Sequence, residues 1–117
     1  MPERLKILFV CSQNRIRSLT AEKLFEGNTA YDIRSAGTEA DARIKVTAGH
    51  IGWADKIFVM EKRHRERLRS KFRDELGGKE VICLFIPDDY EPLAQDLFEI
   101  LRARLIPHLD LSGCRDA

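Results

Sequence analysis

The stretch VCSQNRIRS, Val10 to Ser18, separates Cys11 from Arg17 by five residues and follows the arginine with a serine. An apolar run, Ile7 to Val10, leads in, and LTAEKLF leads out. A loop between a strand and a helix start gathers backbone N–H groups toward one point, and with the helix dipole they favour an anion. A thiol held there is driven toward thiolate by the same field. Arg17 adds a planar fork able to grip two oxygens of one phosphate. Ser18 either donates a hydrogen bond to the sulfur or caps the helix. Asn14 suits a left-handed turn within the loop. A nucleophile and a phosphate cradle in one loop permit attack of sulfur on phosphorus, giving a covalent phosphocysteine. The leaving oxygen then needs a proton, so a carboxylic acid belongs nearby. IPDDYEP offers Asp88 and Asp89, both equally suited to form the turn before a helix, and Tyr90, which can wall a pocket or simply pack.

These residues need a scaffold. LKILFV reads as a strand buried on both faces, YDIRSAGT as a second strand and turn, DKIFVM as a third, and EVICLFI as a fourth stopped by Pro87. Between them lie helical patterns. SLTAEKLFEG ends at Gly27, VTAGHIGWA is capped by Thr47, and EKRHRERLRSKF carries Leu68 and Phe72 on its apolar stripe. A last helix in PLAQDLFEILRARLIPHL opens at Pro92, with Leu93, Leu97, Ile100, Leu101 and Leu105 on one face. Strands alternating with helices imply an α/β three-layer sandwich around a parallel sheet. Ligands of such sheets bind at the carboxyl ends of the strands, where Cys11 falls.

The 117 residues suit one domain spanning 1–117, and 44% hydrophobic with 33% charged residues is a globular composition. A net charge of +1 points to neither nucleic acid nor membrane as a partner. MPERLKILFV lacks the long apolar core of a secretory leader, and no run reaches the length of a membrane span. The three cysteines, Cys11, Cys83 and Cys114, show no bridging or zinc pattern. Together these place the protein in a reducing, cytoplasmic compartment. Cys83 reads as core and Cys114 as an exposed thiol of a polar tail. His50, His64 and His108 lack ligand spacing, so no metal is expected, and Trp53 reads as core. The basic run from Lys62 to Arg73 reads first as a solvated helix face and second as a steering surface for anions. It has no interleaved aromatics for stacking bases.

LFVCSQNRIRS with AEKLF after it resembles the phosphate loop and first helix of the low-molecular-weight protein tyrosine phosphatases. RSAGT is similar to that family's second strand and turn, ADKIFVMEKRHRERL to its third strand and following helix, and DDY to its Asp-Pro-Tyr. The resemblance implies a four-stranded parallel sheet in the order 2-1-3-4, of phosphatase I type, and no cofactor or metal. It makes Cys11 the nucleophile and Arg17 the phosphate ligand. Ser12, Gln13, Asn14, Arg15 and Ile16 would form the substrate-binding loop, with Asn14 and Ser18 supporting the thiolate. Asp88 takes the place of the general acid, and a phosphoprotein or small aryl phosphate is the implied substrate.

Three departures stand out. Ile16 replaces a second loop cysteine, so no disulfide within the loop can protect Cys11. Asp89 replaces the proline of Asp-Pro-Tyr, which leaves the choice of acid between Asp88 and Asp89 open. The segment between SAGT and VTAGH is short, so most of the family's aromatic-pocket loop has no counterpart, and the preference for phosphotyrosine stays open. A partner subunit could supply the missing wall. Two alternatives share the loop. One is an arsenate reductase relaying oxidation to Cys83 and Cys114. The other is a non-catalytic module binding phosphate or phosphopeptides.

Overall fold

The computed structural model describes residues 4–114. Four strands, β1 (Leu5–Cys11), β2 (Tyr31–Gly37), β3 (Lys56–Val59) and β4 (Val81–Cys83), form one parallel sheet in the order β2-β1-β3-β4. Helices α1 (Arg17–Leu24), α2 (Ala48–Trp53), α3 (Lys62–Lys71), α4 (Arg73–Leu76) and α5 (Gln95–Leu105) make the crossovers and the outer layers. Side chains of β1 alternate between two cores, as the period of a strand requires. Ile7, Phe9 and Cys11 pack with α1 and α5 residues such as Leu24, Leu97 and Leu101. Leu8 and Val10 pack with Ile51 of α2, Leu68 of α3 and Leu76 of α4. Both faces of β1 are therefore dry, which is why its sequence is continuously apolar.

Phe9 sits between the rings of Phe25 and Phe58, with centroids at 5.7 and 5.6 Å. Truncation to alanine there would cost about 3–5 kcal/mol and undermine the strand that ends in Cys11. Thr47 does cap α2, its Oγ1 accepting the His50 N–H at 3.3 Å.

Four local expectations are corrected. The fourth strand ends at Cys83 rather than Ile86, because Phe85 takes a left-handed φ of 55° and turns outward. Leu84 and Ile86 stay buried and donate their N–H groups to Val59 and Met60, so the chain keeps its place beside β3. The last helix begins at Gln95, not Pro92. Leu93, with φ 59°, faces solvent, and its N–H is taken by Thr20 Oγ1 at 3.2 Å. Cys114 is half-buried against the α1–α5 core, and that burial pushes its thiol pKa up. Trp53 lies at the core margin under the Arg34 guanidinium, 4.3 Å from the ring centroid.

Candidate active site

The loop between Cys11 and Arg17 is held from outside by the segment that follows β2. The N–H of Thr38 donates to the carbonyl of Cys11 at 3.0 Å, and that of Glu39 to Ser12 at 2.9 Å. Arg43 closes the next two, its N–H on the carbonyl of Gln13 at 2.9 Å and its Nε on that of Asn14 at 3.0 Å. Four consecutive carbonyls thus point outward, so the amides can turn inward. Asn14, at φ 58°, supplies the reversal that curls the loop into a nest. Among the described residues, no protein acceptor takes the N–H of Gln13, Arg15 or Ile16. A loop with this polarity selects an anion.

Gly37 permits the close approach of the two segments. A Cβ there would lie 2.6 Å from the carbonyl oxygen of Ser12 and 2.7 Å from Cβ of Ala42. The glycine of RSAGT is therefore a packing requirement of the loop and its outer segment.

At the base of the nest the Cys11 sulfur, almost fully buried, meets two donors. The N–H of Asn14 lies 3.3 Å away, and Ser18 Oγ lies 3.0 Å away. Asn14 Nδ2 donates to that same Ser18 oxygen at 2.7 Å. With its oxygen accepting from Asn14, Ser18 turns its own proton to the sulfur. Both hydrogen bonds are ones a thiolate accepts more strongly than a thiol. Asn14 and Ser18 are themselves wholly buried, behind the sulfur and away from solvent.

Arg17 is 2% exposed, a rare environment for arginine that demands a partner. Its Nη1 donates to Glu61 Oε2 at 2.5 Å and to the Ile86 carbonyl at 2.8 Å. That anchoring leaves the Nε and Nη2 edge for a ligand, and Asp88 Oδ1 lies 3.9 Å from Nε. Glu61 also accepts from Arg63 Nη2 at 3.0 Å. Arg63 and Arg17 hold the Glu61 pKa down to about 2, against a weaker opposing effect of burial. The carboxylate is therefore a fixed negative post for Arg17 and not a proton donor near neutrality.

A cleft of about 340 Å³ opens over this arrangement. Of the residues expected to form a site, Cys11, Ser12, Gln13, Arg15, Ile16, Arg17 and Asp88 line it. Asp89 is exposed and outside the lining, and Tyr90 packs half-buried against the α1–α5 core. Glu39, Asp41 and Arg63 complete the rim, so the mouth is charged and, among the described residues, holds no aromatic ring. These three, with Glu61, Arg43 and His64, were not singled out as site residues by sequence patterns. Arg63 arrives through Glu61 and the others through contacts with the loop from 25 or more positions away, and only the Glu61 and His64 spacing at a helix start carried a local signal. Among the described residues no group of His, Cys, Asp and Glu could hold a metal ion, and no helix is long and apolar enough to cross a membrane.

A scan against protein-family models finds no match, and no curated protein matches the sequence. Solved structures do match. SP-PTP, a low molecular weight protein tyrosine phosphatase from Streptococcus pyogenes, aligns over 91% of this chain and 94% of its own, with TM-score 0.71 and 17% identity. The tyrosine phosphatase Wzb from Escherichia coli K30, in complex with sulphate, covers 87% and 94%, with TM-score 0.69 and 20% identity. The YwlE arginine phosphatase, as a cysteine-to-serine mutant with a phosphorylated active-site serine, covers 92% and 100%, with TM-score 0.64 and 21% identity. The chain therefore has the fold of the low-molecular-weight protein tyrosine phosphatases. At these identities the likeness establishes the fold, and the chemistry rests on the residues of the loop.

Proposed function

We propose that the protein is a phosphomonoester hydrolase that works through a phosphocysteine on Cys11. The observation that carries this reading is the nest itself. A buried sulfur with two hydrogen-bond donors lies beneath unpaired amides and a free edge of Arg17, in a cleft that also admits Asp88. The phosphoryl group sits in the nest, its oxygens on the loop amides and the Arg17 edge. The Cys11 thiolate attacks phosphorus, and the S–P bond forms as the bond from phosphorus to the leaving oxygen breaks. Asp88 gives that oxygen its proton. Water then attacks phosphorus, Asp88 takes the water proton, the S–P bond breaks, and inorganic phosphate leaves with the thiolate restored. The sulphate bound by the Escherichia coli K30 neighbour and the phosphorylated serine of the YwlE mutant support an oxyanion in the nest and a phosphorylated nucleophile beneath it.

Asp88 is preferred to Asp89 as the acid because only Asp88 reaches the cleft. The substrate is a phosphorylated protein or a small aryl phosphate. The charged, ring-free mouth favours a leaving group recognised by polar contacts over one held by stacking. A thiol relay to Cys83 and Cys114 is disfavoured. Cys83 packs against the α2–α3 core and Cys114 against the α1–α5 core, on opposite faces of the sheet.

The test is hydrolysis of a simple aryl phosphate, without added metal, by wild type, Cys11→Ser, Asp88→Asn and Asp89→Asn. The reading requires turnover by wild type, none by Cys11→Ser, and a marked loss only in Asp88→Asn. A folded, reduced wild type that turns over no aryl phosphate would refute it and favour a phosphate-binding module.

A further inference from the structure

We infer that His64 is a positioning residue that makes the Ser12 hydroxyl a hydrogen-bond donor to a phosphoryl oxygen in the cleft. The inference deepens the phosphatase reading and rests on it. His64 stands in the first turn of α3, 1% exposed, with Nε2 3.0 Å from Ser12 Oγ. Its other nitrogen, Nδ1, receives the backbone N–H of Glu61 at 3.1 Å. A peptide N–H can only donate, so Nδ1 must be the unprotonated nitrogen. In the neutral ring the proton is then on Nε2, and the short contact to Ser12 is an Nε2–H donating to Oγ.

That assignment fixes what Ser12 does. Its oxygen already accepts from His64, and its side chain has no other protein partner among the described residues. Ser12 lines the cleft beside Cys11 and Arg17. Its proton is therefore available to an oxygen of whatever anion the nest holds. The relay repeats the one at the sulfur. There Asn14 donates to Ser18 and Ser18 to Cys11. Here Glu61 N–H donates to His64, His64 to Ser12, and Ser12 to the ligand. Two serines of the loop, each with its oxygen filled by a buried donor, serve the attacking atom and the group attacked.

The surroundings keep His64 in the form the relay needs. Burial, then Arg17 and Arg63, hold its pKa down to about 4 against the opposing pull of Glu61. A protonated ring would set an Nδ1–H against the Glu61 N–H.

The experiment is a double-mutant cycle with a direct view of the ring. Ser12→Ala and His64→Leu should each lower kcat/KM for an aryl phosphate by roughly 10- to 100-fold, somewhat below a full oxyanion-hole donor because the loop amides remain. Each should weaken binding of inorganic phosphate. His64→Leu in the Ser12→Ala background should add no further loss, because His64 acts through Ser12. His64→Gln, whose amide can offer an N–H near the place of Nε2, should recover part of the activity. In wild type, ¹⁵N NMR should show the Nε2–H tautomer at neutral pH. An Nδ1–H tautomer would overturn the inference, as would independent, multiplicative losses in the double variant. Phosphate affinity equal in wild type and Ser12→Ala would also overturn it, whatever the turnover. Absent turnover with phosphate binding that still depends on Ser12 would refute the hydrolase reading and leave the Ser12 donor standing.

Discussion

The two walls of the cleft are built in opposite ways. The phosphate loop, residues 11–18, is tied from three directions. The segment after β2 holds its carbonyls, α3 holds Ser12 and Arg17 through His64 and Glu61, and the chain after β4 holds Arg17 through the Ile86 carbonyl. The stretch from Pro87 to Glu91 carries Asp88, the proposed acid, and apart from the half-buried Tyr90 it is exposed. Asp88 is 59% exposed and 3.9 Å from its nearest cation, and the stretch lies between two residues with left-handed φ, Phe85 and Leu93. Strain of this kind at non-glycine residues gathers near functional sites. The difference separates two tasks. Binding and stabilising an anion demands donors fixed before the ligand arrives, because reorganising them would offset the gain. Delivering a proton requires only that a carboxyl reach the leaving oxygen during the reaction, and apo distances longer than a hydrogen bond are usual for such groups.

If the comparison is right, changes in the loop should cost both binding and turnover, and changes in the acid segment turnover alone. Arg17→Lys should have the largest effect. A single ammonium cannot hold Glu61, the Ile86 carbonyl and a phosphate at once, so kcat/KM should fall on the order of 10³-fold and phosphate affinity should fall with it. Unchanged phosphate affinity, measured by calorimetry, would show that the arginine is structural only. Asp88→Asn should lower kcat by roughly 10²-fold or more while phosphate affinity stays at the wild-type level. Asp89→Asn should sit within a few-fold of wild type in both, and a larger loss there than at Asp88 would reverse the assignment.

Gly37→Ala tests the outer ties. Its Cβ would collide with the Ser12 carbonyl and with Ala42, so the segment must move off the loop. Denaturant unfolding should show a loss of about 1–3 kcal/mol, with weaker phosphate binding. Full stability with full binding would mean that the segment does not shape the nest. Acid stability should show a comparable effect. The folded-state pKa of His64, about 4, lies below its ordinary 6.5. Unfolded chains therefore bind the extra proton between those values, and stability falls as pH drops from about 6.5 to about 4, by on the order of 3 kcal/mol. Glu61 continues the loss from about 4.5 toward about 2. Unfolding at pH 7, 5.5 and 4 in wild type and His64→Gln checks this, and an equal slope in the two would remove His64 as the source.

The same contrast explains what the sequence disclosed. The loop was legible because local order carries it. An apolar strand, a Cys-x5-Arg spacing and a helix start define the nest within a few residues, and the alternation of elements implies the parallel sheet, while its strand order came only with the family resemblance. The residues that hold the loop from outside were not legible. Arg43, Glu61 and His64 act across 29 to 52 positions of chain, and the one local signal, the Glu61–His64 spacing at the start of α3, marks a helix cap and not a partner in the loop. The acid segment misled for another reason. EVICLFI and PLAQDLF have smooth apolar patterns, and periodicity cannot foresee the left-handed turns at Phe85 and Leu93 that shorten the strand and delay the helix. Tyr90, placed beside the acid by sequence, packs against the core instead of lining the cleft.

The central claim is that the Cys11 sulfur takes the phosphoryl group. It is tested most directly by acid-quenching the Asp88→Asn variant during turnover of an aryl phosphate and mapping the protein by mass spectrometry. With water activation impaired, one phosphoryl group should accumulate on Cys11 and be absent from a Cys11→Ala, Asp88→Asn control treated alike. Steady turnover with no phosphoryl group on Cys11 at any quench time would contradict the account.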